Sequence, residues 1–214
     1  MPPTVAVAIA QSLTGRRLLD HPYYRSWQDG LLATPDIGAY AEQYRHFESA
    51  LPEVLARVAD GLEKGAARRL VEDNRDDELS NPRPHLELFD SFAAAVGAAS
   101  ERDPTPATRE LVGVYHASVS AGPVPALAVI AAYETQAADI AATKAGALRR
   151  HHGLTQEQTE FWNVHADIEP EHAAWTLEAL AMLAAAPAVV AEWASLSASR
   201  WWGFLDEREA TRSQ

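Results

Sequence analysis

The sequence predicts an all-α protein. No stretch alternates polar and apolar residues as a half-buried strand would. Alanine supplies much of the 47% hydrophobic fraction, and alanine-rich segments favour helices that pack closely. Aromatic and apolar side chains also recur at helical spacing, as in Tyr40, Tyr44, Phe47 and Leu51. At 214 residues the chain is sized for one domain, 1–214.

Taken in order, residues 4–20 read as a first helix ending near Arg16 and Arg17. Pro22 then breaks the chain, and if HPYYRSW is helical, Tyr24 and Trp27 share one packing face. Thr34 caps the next helix, with Pro35 in its first turn and Asp36 at the positive end of its dipole. This helix runs through the aromatic stripe to a kink at Pro52. His46 lies on it without a partner pattern and reads as structural or exposed. Residues 64–79 form a charged helix with Leu70, Asn74 and Glu78 on one face. The segment 80–84, with two prolines, cannot continue a regular ladder, so Glu78 and His85 flank a break that can aim both inward. An apolar run follows from His85 to Phe92. Residues 101–108 are a loop, 107–120 an amphipathic helix, and 124–150 a long and nearly apolar helix. Gly153 ends that helix, and Thr155 with Gln158 forms a capping box. The helix after it contains Pro170, which predicts a kink or loosened turn. The last helix spans 188–206, and the tail EREATRSQ is expected to fray.

Composition removes several function classes. There are no cysteines, hence no disulfide, thiolate metal site or cysteine nucleophile. With 30 acidic residues against 18 basic and a formal charge of −12, nucleic acid is not an expected partner. No apolar run reaches membrane-spanning length, and the N-terminal segment has no basic region ahead of its apolar run. The cytoplasm is the expected setting. Any transition metal must be held by nitrogen and oxygen, which suits iron, manganese or zinc.

The segment FWNVHADIEPEHAAW, residues 161–175, is where such ligands gather. His165, Glu169 and His172 stand at i, i+4 and i+7, one face of a helix. Glu134 is a second anomaly. Its helical neighbours Ile130, Ala131, Ala137 and Ala138 are apolar, so its carboxylate would be buried and must be protonated, paired or metal-bound. With Glu78 and His85 these make three carboxylates and three imidazoles, the stoichiometry of a dinuclear site in a helical bundle. Only Glu169-Pro170-Glu171-His172 fits the usual E-x-x-H pattern, so the geometry would be a variant.

At these residues the sequence resembles the haem-oxygenase-like dimetal oxidases, in particular their CADD-like branch. The branch pattern is Glu-x6-His, matched by Glu78 and His85, then a Glu, matched by Glu134. It ends in His-x3-(Asp/Glu)-x2-His, matched by His165, Glu169 and His172. The segments HPYYRSW, YAEQYRHFESALPEVL, DNRDDEL, PHLELF and GFLD extend the resemblance over nearly the whole chain. It implies a seven-helix haem-oxygenase-like bundle without haem, holding two non-haem ions (Fe, or Fe with Mn). It further implies O2 as co-substrate, an external reductant and a homodimer. The implied activity is 4-aminobenzoate formation for folate, consuming the protein's own Tyr24, with Lys144 as candidate amino donor. Lys144 lies ten residues past Glu134, about 15 Å along the helix and about 80° round it. One alternative keeps the metals and acts on a free amino or fatty acid by desaturation, C–C cleavage or N-oxygenation. Another is a non-oxidase bundle of the TenA (thiamine-salvage) or PqqC (quinone-cofactor) type, although the absence of cysteine argues against a cysteine-dependent thiaminase. A partner-binding module is the last.

Overall fold

The computed structural model describes residues 4–99 and 101–212, and over them it is all-helical. Among the described residues there are nine α-helices, rather than the seven that the resemblance implies. They are α1 (Val5–Ser12), α2 (Pro22–Gln28), α3 (Thr34–Asp60), α4 (Ala66–Ser80), α5 (His85–Ala95), α6 (Pro106–Ala121), α7 (Pro123–His152), α8 (Glu160–Met182) and α9 (Pro187–Thr211). Short 3-10 turns lie at Leu18–Asp20 and Glu157–Thr159.

Local chemistry makes the extra divisions. The first helix stops at Ser12 rather than near residue 20, and Gly15 turns the chain at φ +74°, a conformation that costs little only for glycine. The HPYYRSW segment then starts its own helix. Pro22 sits in its first turn, and His21 Nδ1 accepts the Tyr23 amide at 3.0 Å. Between α4 and α5, Pro82 and Pro84 remove amides that a continuous helix would need. At the start of α3 the cap is Ala33, not Thr34, because the Asp36 carboxylate accepts the Ala33 amide at 3.2 Å. The Thr155–Gln158 box forms as expected, with reciprocal bonds of 2.9 and 3.2 Å. Both α3 and α8 carry on through their internal prolines, Pro52 and Pro170. The tail differs from expectation: residues up to Thr211 belong to α9, where Arg208 is buried and donates to Thr105 Oγ1 at 3.1 Å. Residues 213–214 of that tail lie outside the described residues.

The centre of the bundle is α7, buried on nearly every turn from Ala126 to Leu148. It lies along α8 and α9, with small alanines at 131, 137 and 141 that let neighbours approach. Helix α4 packs on both α8 and α3, so α3, α4, α7 and α8 surround one interior volume, which α5 closes. An aromatic layer of Tyr44, Phe47, Phe89, Phe161, Trp162 and Trp201 fills one side of it. Burying each large apolar side chain contributes about 1.5–3 kcal/mol, which lets this layer hold polar groups whose burial is unfavourable. Among the described residues no helix is long and apolar enough to cross a membrane.

Candidate metal centre

The three histidines expected as ligands are each fastened on one nitrogen by an outward partner. His165 Nδ1 bonds the Phe161 carbonyl one turn back at 2.8 Å, leaving Nε2 free. His85 Nε2 bonds the Asn81 carbonyl at 2.9 Å, and its Nδ1 faces Glu78 Oε2 at 2.7 Å. His172 Nε2 meets Asp77 Oδ2 at 3.4 Å, and its Nδ1 lies 3.7 Å from Glu78 Oε1. A carbonyl or carboxylate on one nitrogen orients the ring and leaves the other nitrogen facing inward, as metal-binding imidazoles require. The break between α4 and α5 sets this up by turning Glu78 and His85 toward one another.

The carboxylates are buried with them. Glu78, Glu134 and Glu169 together line one small cavity with Tyr115 and Tyr133. Glu134 accepts from Asn74 Nδ2 at 2.8 Å and from Thr176 Oγ1 at 2.6 Å, so α4 and α8 clamp the acid carried by α7. Glu169 Oε2 is buried without a hydrogen-bond partner. Burial and the neighbouring acids Glu134, Glu78 and Glu48 push the Glu169 carboxyl well above the usual range. Glu134 is also raised by burial, against its bonds to Thr176 and Asn74. Burial would raise Glu78 too, but the bond from His85 holds it below the usual value. Burial lowers His165 to about 3, helped by the charge on His85. For His85 burial acts downward, yet Glu78 and Glu48 lift it to about 9. Partnerless buried oxygens and inward-facing imidazole nitrogens are what a cation satisfies. The donor set fits a metal centre.

Tyr24 and Lys144 meet elsewhere in the core. Lys144 Nζ donates to Tyr24 Oη at 3.0 Å and to Tyr40 Oη at 2.6 Å, and those two hydroxyls lie 2.7 Å apart. The rings of Tyr24, Trp27, Tyr40, Tyr44 and Trp162 surround the amine, the last with its centroid 4.1 Å away. Burial drives the amine well below a free lysine's value, only partly opposed by Glu48. Burial likewise raises the phenol of Tyr24. Stacked rings join this chamber to the metal cluster: Tyr40 on Tyr44 at 5.5 Å, then Tyr44 Oη to Tyr133 Oη at 2.8 Å.

Of the six expected ligands, Glu78, His85 and His165 bring ligand atoms within 4.8 Å of one another, Glu134 and Glu169 share a cavity with Glu78, and His172 lies beside Glu78, while Tyr24 and Lys144 pair with one another. Sequence reasoning missed Glu48, whose ligand oxygen lies within 4.8 Å of those of Glu78, His85 and His165. An acid four residues after Tyr44 and three before Leu51 interrupts the apolar stripe of α3, but the polar residues 42, 43, 45 and 46 mask it. It also missed the fastening roles of Asp77 and Thr176, and Tyr40 as the second hydroxyl at Lys144. His46 is half-buried and bonds the Arg102 carbonyl at 2.8 Å, outside the site.

A helical bundle with buried histidines and carboxylates gathered inside it is the kind of protein that can hold a metal ion. The comparisons narrow the class: a family model for iron-containing redox enzymes matches residues 38–200, and the chain belongs to that family. It is 32% identical to a 4-aminobenzoate synthase of Nitrosomonas europaea across 91% of this chain and 86% of that protein. A 4-aminobenzoate synthase of Chlamydia muridarum is 27% identical across 75% of this chain and 71% of its own length. Among solved structures, a TenA homologue from Pseudomonas syringae pv. tomato has a TM-score of 0.85 at 16% identity, covering 98% and 94% of the two chains. A CADD-like protein of unknown function from Nostoc punctiforme gives 0.76 at 17%, covering 98% and 97%. At those identities the structural likeness shows the haem-oxygenase-like fold alone.

Proposed function

We propose that this chain is an O2-dependent oxidase that forms 4-aminobenzoate for folate from its own Tyr24. Two non-haem metal ions, Fe or Fe with Mn, would be held by Glu78, His85, Glu134, His165, Glu169 and His172. Bound there, such ions would couple oxidation to O2, with an external reductant completing the electron balance.

The observation that carries the reading is the contact between Lys144 Nζ and Tyr24 Oη at 3.0 Å. Turning a tyrosine side chain into 4-aminobenzoate breaks Cα–Cβ, oxidises Cβ to a carboxylate and replaces the phenolic oxygen with nitrogen. Lys144 puts a buried amine, low in basicity, beside the oxygen that must be exchanged. Tyr40 shares its hydroxyl with both groups and can carry a proton between them. The ring sequence Tyr24, Tyr40, Tyr44 and Tyr133 offers a path for an electron leaving Tyr24. The chamber is dry, with Tyr24 and Lys144 at 2% and 1% exposure, which protects an oxidised ring from water.

Against a free substrate stand the relatives named 4-aminobenzoate synthase, which span most of the chain. A single domain over 1–214, a cytoplasmic setting and a homodimer belong to the same proposal.

The test is Tyr24→Phe, assayed after anaerobic Fe(II) loading and O2 exposure. Product should vanish while metal binding stays intact, and the wild-type peptide holding Tyr24 should lose mass. Sustained multi-turnover product from Tyr24→Phe would reject self-consumption.

A further inference from the structure

We propose that Glu48 is a seventh metal-binding side chain, supplied by α3, and that it completes one of two unequal ion positions. The inference rests on the metal-centre reading above and extends it to a helix that contributes none of the six expected ligands.

Glu48 is 2% exposed, and its Oε1 is buried without a hydrogen-bond partner. An acid held that way inside an aromatic layer is costly unless something binds it. One of its carboxylate oxygens belongs to the histidine cluster: ligand atoms of Glu48, Glu78, His85 and His165 all lie within 4.8 Å of one another. The Glu78 carboxylate divides that group from the rest. Its Oε2 faces His85 at 2.7 Å and its Oε1 faces His172 at 3.7 Å, so it stands between two sets of donors. On one side are His85 and His165, on the other Glu134, Glu169 and His172. With Glu78 shared, the second set offers four residues and the first only three. Glu48 supplies the missing fourth, and being a carboxylate it brings the negative charge that an imidazole pair lacks. The position nearer α3 would then have two carboxylates and two imidazoles, and the other three carboxylates and one imidazole.

The experiment is an anaerobic Mn(II) titration of wild type and Glu48→Gln, with metal content measured after desalting and folding checked by circular dichroism. Wild type should hold two ions. A folded Glu48→Gln should keep one ion tightly and bind the second at least about 10-fold more weakly. Two ions held by Glu48→Gln with wild-type affinity would overturn the inference and leave the six-residue centre standing. No ion bound by wild type would overturn the centre itself, and this inference with it. If Glu48→Gln does not fold, anomalous diffraction at the manganese edge from Mn-loaded wild-type crystals decides the matter. A Glu48 oxygen within about 2.5 Å of an ion supports the assignment, and a carboxylate turned away from both ions overturns it.

Discussion

An amine enclosed by five aromatic rings is held either as a cation over their faces or as a neutral base in a dry pocket. Cation–π attraction supplies about 0.5–2 kcal/mol, whereas desolvating an unpaired charge costs several. Among the described residues no carboxylate forms a salt bridge with Lys144, so desolvation wins and the amine is held well below a free lysine's basicity, only partly opposed by Glu48. The sign for stability follows. Between the lowered value of the folded amine and a free lysine's 10.5 the unfolded chain binds a proton here that the folded chain does not, so the cost of burying this group is relieved as pH rises toward 10.5. Lys144→Met removes that dependence. Urea melts at pH 7 and pH 9 should show the variant's stability rising less steeply than wild type's, by up to about 1.4 kcal/mol per pH unit. Identical slopes would mean that the buried amine is charged. The resemblance named Lys144 together with Tyr24, but helix geometry could not show their contact, because the two are 120 residues apart. Glu134 was legible because its neighbours one turn away on α7, Ile130, Ala131, Ala137 and Ala138, are all apolar. Glu48 was not, since Glu42, Gln43, Arg45 and His46 make one more acid on α3 unremarkable.

At the scale of elements, the site depends on helices aiming groups at one another across the bundle. Helix α7 brings Glu134, but α4 and α8 orient it through Asn74 and Thr176. Neither orienting group is an expected ligand, and each is held by regular helix rather than by a loop. Outer partners of this kind typically carry 10–100-fold in metal affinity. Asn74→Leu and Thr176→Val should therefore weaken Mn(II) binding by about 10-fold or more while the helical circular dichroism signal remains. Titrations matching wild type would show that Glu134 needs no orientation. The long helices were readable because most of their ends are marked by Pro or Gly in the sequence, although α3 and α8 continue through Pro52 and Pro170. Short α1 and α2 were harder, because the apolar run over 4–20 looks continuous until Gly15 and the His21 cap divide it. The end of α9 was hidden for the opposite reason. A polar tail reads as frayed, yet Arg208 is buried against Thr105 across the bundle.

For the whole molecule, the arrangement sets the interior against itself. A chain with a formal charge of −12 buries four glutamates in one volume, Glu48, Glu78, Glu134 and Glu169, where mutual repulsion and desolvation both oppose folding. The aromatic layer and the alanine-lined α7 supply the compensating burial, and a cation among the acids would relieve the repulsion directly. Metal binding should then appear as global stability, because a ligand that binds only the folded state adds RT ln(1 + [L]/Kd). At a hundredfold excess over Kd this is about 2.7 kcal/mol, which for a chain of this size corresponds to about 5–11 °C in melting temperature. The comparison is between EDTA-treated protein and the same protein with anaerobic Fe(II) or Mn(II), with Mg(II) as a control for general charge screening. A rise with Fe(II) or Mn(II) that Mg(II) does not reproduce is expected, since imidazole ligands favour the transition metals. An equal rise with all three would reduce the effect to screening of a negative protein. No rise with any of them would mean that the buried acids are accommodated by protonation alone, and the cluster would lose its claim to be a metal centre.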